Sequence, residues 1–131
     1  MTDPTRYIRE MYVTGFYGVC ACYDQKAPTT ATPPYAVIRN VGKTKVAVKC
    51  TVWQCDVTID LYAEFTEIGN TAVLDAITDD ILTTFTTNPL PTIDNFQHVR
   101  AQLASDDQDI IDGDELKQYR KTIRITHWVQ E

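Results

Sequence analysis

Four cysteines, two histidines and a run of acids are the residues of this chain whose types could serve metal binding or catalysis. Cys20 and Cys22 form a C-x-C pair, and Cys50 and Cys55 a C-x4-C pair. Structural zinc sites favour C-x2-C pairs in tight turns, so neither spacing is the usual one. Both pairs also fall in segments that read as strands. In a strand Cys20 and Cys22 share a face, whereas Cys50 and Cys55 point to opposite faces. Free, buried or half-buried thiols are expected, and nothing near them marks thiolate activation. His98 and His127, the only histidines, also fall in expected strands. General-base or metal work needs a partner carboxylate or further ligands at defined geometry, and no local spacing selects one. The chain lacks G-x-S-x-G, GxGxxG and G-x4-G-K-[ST] motifs, and its five glycines leave little for phosphate-cradling loops. An enzyme is not expected, and no cofactor or metal is implied.

The acids cluster in Ser105 to Glu115, SDDQDIIDGDE: Asp106, Asp107, Asp109, Asp112, Asp114 and Glu115. An EF-hand needs oxygen ligands at the first, third and fifth loop positions and glycine at the sixth. Setting Gly113 at the sixth puts Gln108, Ile110 and Asp112 at the others, and Ile110 supplies no oxygen. The stretch reads as a solvated hairpin loop, with an acidic docking or channel-facing surface as the functional alternative. Aromatic residues Tyr12, Phe16, Tyr17, Tyr23, Tyr35 and Trp53 enrich the N-terminal half. Core packing and strand propensity are the plain reading. For Tyr12, Phe16 and Tyr17, at the end of the first expected helix, a subunit interface competes with it.

These residues must be positioned by the fold of a short chain. Its 131 residues suit one domain, 1–131, and 44% apolar content suits a globular one. Twelve Lys and Arg against 18 Asp and Glu give a net charge of −6. That balance argues against a dedicated nucleic-acid-binding domain, whose affinity comes largely from neutralising phosphates. No apolar run approaches the roughly 18 residues of a membrane span. MTDPTRYIRE carries acids where a signal peptide is basic and apolar, so an unprocessed protein made in the cytoplasm is expected.

Asp3-Pro4 predicts a helix start, and Tyr7, Ile8, Met11 and Tyr12 give an apolar stripe over about 4–14, ending near Gly15. Residues 17–23 read as a short strand, 26–34 (KAPTTATPP) as a loop, and 35–41 as a strand closed by a Gly42-Lys43 turn. Strict alternation over 51–65 puts Trp53, Cys55, Val57, Ile59, Leu61, Ala63 and Phe65 on one face, predicting a long half-buried strand. Gly69-Asn70 stops it, and Asn70 can cap the next helix. Val73, Ile77, Ile81 and Phe85 predict that helix, and Asn88-Pro89-Leu90-Pro91 ends it. Residues 96–104 and 117–130 read as a final antiparallel pair, the last strand placing Tyr119, Ile123, Ile125, His127 and Val129 on one face. The expected fold is an α+β single-domain sandwich: a mostly antiparallel sheet of about five strands, helices on one side, loops 24–34 and 105–115 projecting.

The order of these pieces resembles the tail terminator family of tailed bacteriophages, also called neck or tail-completion proteins. The resemblance rests on the N-terminal helix and loop, on Pro34-Tyr35-Ala36-Val37-Ile38, and on the long strand Trp53-Gln54-Cys55-Asp56-Val57-Thr58-Ile59-Asp60-Leu61-Tyr62. It continues through the helix from Ala72 to Phe85 and the closing strand Arg124-Ile125-Thr126-His127-Trp128-Val129. The cysteines and the Thr/Pro loop fall outside it. The resemblance implies a virion structural protein: a ring, hexameric as a rule, at the head-proximal end of the tail. Such a ring ends polymerisation of the tube, and of a sheath where present, and joins the neck connector. Its implied partners are other copies of itself, tube and sheath proteins and a stopper or head-completion protein. DNA is met only in passage, and no membrane is involved. Another head-tail joining or minor tail protein, or a monomeric binding module of a bacterial cell, is the alternative. The candidate interface residues are Tyr12, Phe16, Tyr17, Arg39, Arg120 and Arg124, the arginines being expected to meet acidic neighbours. The candidate lumen or docking loop is the acidic stretch.

Overall fold

A computed structural model of the chain describes residues 3–31, 34–46, 52–65, 72–112 and 117–131, with backbone alone at 64, 65, 72, 73, 108–112 and 117–119. Helix α1 (Pro4–Gly15) begins where Asp3 caps it: the Asp3 carboxylate accepts from the Thr5 N–H at 3.0 Å, and Pro4 takes a position whose N–H would have been unsatisfied. The remaining elements are β1 (Ala21–Asp24), β2 (Tyr35–Lys45), β3 (Val52–Phe65), α2 (Ala72–Thr86), β4 (Gln97–Asp112) and β5 (Lys117–Gln130). The Asn70 cap expected for α2 lies outside the described residues.

The strands form one sheet in the order β1-β2-β3-β5-β4. Only β1–β2 is parallel; the other three pairings are antiparallel. Register places Cys55, Val57 and Ile59 of β3 opposite His127, Ile125 and Ile123 of β5, and Val57 and Ile59 opposite Val41 and Ile38 of β2. This face is buried beneath both helices, which contribute Ile8, Met11 and Tyr12 from α1 and Leu74, Ile77, Ile81 and Phe85 from α2. The expected α+β architecture with helices on one side is the one found.

Three segments differ from expectation. Residues 16–19 turn out of α1, with Gly18 at φ 83°, so β1 starts later than the reading of 17–23 placed it. A side chain is rarely tolerated at that φ, which makes glycine the natural residue there. β2 runs straight through Gly42-Lys43 to Lys45, because pairing with β3 continues to Lys45–Trp53 and overrides the local turn signal. The largest correction concerns the acidic stretch. Ser105 to Asp112 is not a loop but the second half of β4, paired residue for residue with β5.

Candidate assembly interface

The sheet's second face carries no described helix and is polar. Even-numbered β3 residues from Gln54 to Tyr62 lie on it beside Thr122, Arg124, Thr126 and Trp128 of β5. Hydroxyl groups bridge the strands here: Thr122 donates to Asp60 at 2.8 Å and Thr126 to Asp56 at 2.7 Å. Asp60 is buried and takes a second partner, Arg39, at 3.5 Å. Tyr23, Tyr35 and Tyr62 run across β1, β2 and β3, with ring centroids 6.0 Å and 4.9 Å apart. Beside them the chain after β1 leaves a cleft of about 240 Å³ lined in part by Lys26, Tyr35, Arg39 and Tyr62.

The structure separates the six candidate interface residues. Tyr12 and Phe16 are buried at 0% and 1% exposure, so they are core and not subunit contacts. Their neighbour Tyr17, one residue past the buried stripe, is 81% exposed. Arg39, Arg120 and Arg124 all belong to the open face: Arg39 pairs with Asp60, Arg120 stands opposite Tyr62 and Arg124 opposite Thr58 on β3. Arg120 also stands across from Asp109, and Arg124 across from Ser105, on β4. Arg120 thus has an acidic cross-strand neighbour within its own hairpin.

Asp106 and Asp107 are exposed, and they, Asp109 and Asp112 lie on β4, the outermost strand of the sheet. Asp106 pairs with Lys121 at 3.3 Å, and Lys121 also meets Asp75 of α2 at 3.2 Å. Lys121 interrupts the apolar face of β5 that the sequence suggested, but its ammonium reaches two carboxylates at the rim of α2. Asp114 and Glu115 lie outside the described residues.

The histidines, distant in sequence, meet in the core. His98 Nδ1 lies 2.9 Å from the Pro91 carbonyl, and His98 Nε2 lies 2.9 Å from His127 Nδ1; His127 Nε2 meets the Tyr12 hydroxyl. A carbonyl can only accept, so His98 Nδ1 carries its proton and Nε2 is a lone pair. His127 Nδ1 must then donate to it, which leaves His127 Nε2 to accept from Tyr12. The Tyr12 hydroxyl and all four ring nitrogens of this hydrogen-bonded row thus find partners with both rings neutral. Burial, aided by His98, pushes His127 down to about 3, and burial lowers His98 as well. The rings are structural links between α1, β5, β4 and the segment before β4. Sequence reading placed His127 correctly on the buried face, but its partners lie 29 and 115 positions away.

Cys20, Cys22 and Cys55 are free, and Cys50 lies outside the described residues. Burial raises Cys20 to about 11 and Cys22 and Cys55 to about 12, so these sulfurs stay protonated at neutral pH and are poor nucleophiles. Among the described residues no group of three His, Cys, Asp or Glu could hold a metal ion. What the surface offers is a polar sheet face, an acidic edge strand and an exposed tyrosine.

This fold recurs elsewhere. A chain from a structure titled virion of native gene transfer agent particle superposes with a TM-score of 0.64 at 10% sequence identity, covering 96% of this chain and 90% of that one. No curated protein matches the sequence. A family model described as tail completion protein gp17 does match, over residues 11–130, a span that runs from the last turn of α1 to the end of β5 and takes in the whole sheet. With that match covering all but its first turns and final residue, the chain belongs to the tail completion protein gp17 family.

Proposed function

We propose that the protein is a tail terminator: a closed, hexameric ring at the head-proximal end of a phage tail that stops tube polymerisation and presents a surface to the neck connector. Family membership over residues 11–130 carries the reading, as a structural protein of tail assembly. The fold's likeness to a chain of a gene transfer agent virion supports it. In this role the protein works by binding. Each copy offers two different patches, one to each neighbour, and the rotation between them closes the ring. Its partners are other copies of itself, the tube protein, a sheath protein where the tail has one, and a stopper or head-completion protein. DNA passes through the ring without being held. The protein is made in the bacterial cytoplasm and ends in the virion neck.

The test is native mass spectrometry over a concentration series, with negative-stain images of the same samples, followed by addition to polymerising tail tubes. Closed rings and arrested tubes of fixed length are the expected result. Tubes that elongate unaltered, with no protein at their ends, overturn the proposal.

A further inference from the structure

The segments that flank the sheet on its two sides are oppositely charged. The described span that builds α1, β1 and β2, residues 3–46, holds six Lys and Arg against three Asp and Glu, net +3. The span that builds α2 and β4, residues 72–112, holds one Arg against eight Asp, net −7. Strand order sets β1 and β2 at one side of the sheet and β4 at the other. Both sides also leave backbone open among the described residues. β1 covers β2 only along Tyr35–Ile38, so Asn40–Lys45 pairs with β3 alone. β4 pairs with β5 alone.

The free stretches match in kind. Register shifts near Val99 and Ala104 interrupt the first half of β4, the usual way of blunting an edge, but Ser105–Asp112 is an unbroken ladder carrying Asp106, Asp107, Asp109 and Asp112. Asn40–Lys45 is likewise unbroken and carries exposed Lys43 and Lys45, with Arg39 beside it. Two β4 edges would set acid against acid, which opposes a symmetric β4–β4 dimer. The edge that complements β4 in charge and in open backbone is β2 of another copy.

We infer that the Ser105–Asp112 edge of one copy docks head to tail on the Asn40–Lys45 edge and basic flank of a second copy. This deepens the ring reading and rests on it, since it names the two unlike patches that a ring needs. Strand addition supplies the main-chain bonds, and the charges select this pairing over like-edge contacts.

The test mixes isotope-labelled and unlabelled full-length protein and applies a carbodiimide that joins carboxylates to amines at zero length. Mass spectrometry should find Asp106 or Asp107 of one copy joined to Lys43 or Lys45 of the other. Raising salt from about 0.05 M to about 0.5 M should weaken self-association at least about tenfold. Asp107→Lys in one variant, which leaves the Asp106–Lys121 pair intact, and Lys43→Glu with Lys45→Glu in a second, should each leave folded monomers. Mixing the two variants should restore assembly, because every contact in an alternating ring is again complementary. Rings that form with each variant alone, or intermolecular links confined to other segments, overturn the edge assignment and leave the ring reading standing. A wild-type chain that gives neither rings nor intermolecular links at any concentration overturns both.

Discussion

Acidifying the protein from about pH 7.5 to about pH 5 should remove about 2 kcal/mol of stability through His127 alone. In the folded chain burial holds this imidazole at about 3, against 6.5 for a free imidazole. Below 6.5 the unfolded chain binds a proton that the folded chain refuses, so stability falls as pH falls. The slope is about 1.36 kcal/mol per pH unit until the folded ring itself protonates near pH 3. From 6.5 to 5 that amounts to about 2 kcal/mol, and His98, lowered in the same direction, adds to it. The window from 6.5 to 5 is the one in which a free imidazole takes up its proton. Urea unfolding at stepped pH values is the assay. With a denaturant slope of about 2 kcal/mol per molar, the midpoint should drop by about 1 M. A midpoint that stays level across the window refutes the buried neutral chain, as does an NMR titration placing folded His127 near 6.5.

Two further perturbations probe the core. A Cβ added at Gly15 would lie 2.7 Å from Cε1 of the fully buried Phe85 ring, so Gly15→Ala should cost about 1–3 kcal/mol in thermal or urea unfolding; an unchanged midpoint would mean that α1 and α2 do not pack this closely. Labelling with a disulfide reagent near pH 8, followed by peptide mass spectrometry, should modify Cys22 and Cys55 at least about 100-fold more slowly in the folded chain than in urea. Labelling of Cys22 at the unfolded rate would contradict its protonated, half-buried state.

Periodicity carried most of the fold. β3 was legible because its alternation extends across a strand buried on one face, and α2 because its apolar residues recur every four positions. The errors fell where pairing with a neighbour outweighs local preference. Gly42-Lys43 has the composition of a turn, yet β3 supplies partners on both sides of it. The aspartates of β4 are poor strand formers, but an edge strand exposes its side chains to water, and β5 sets Lys117 and Arg120 opposite Asp112 and Asp109. The candidate surface was less legible. Tyr12, Phe16 and Tyr17 look alike in composition, and only the packing of α1 against Phe85 separates two core rings from one exposed ring. The Tyr12–His127–His98 chain links positions that no local pattern connects.

That chain bears on assembly as well as on stability. A ring closes only if each subunit holds its two contact surfaces at one fixed angle. In the proposed ring the basic flank belongs to α1 and β2, and the acidic edge to β4. The two are coupled through the core: Tyr12 of α1 stacks on Phe85 of α2 at 4.1 Å and meets His127 of β5, which in turn holds His98 near the start of β4. Tyr12→Phe keeps the stacking but strips His127 Nε2 of its donor, a loss worth about 1–3 kcal/mol in a site that water does not reach. It alters no residue of either edge. Native mass spectrometry of the variant, under conditions where circular dichroism shows it fully folded, should therefore give fewer closed rings and more open oligomers than wild type. Equal ring yield from equally folded Tyr12→Phe protein would show that the hydrogen-bonded core does not set the angle between the two surfaces.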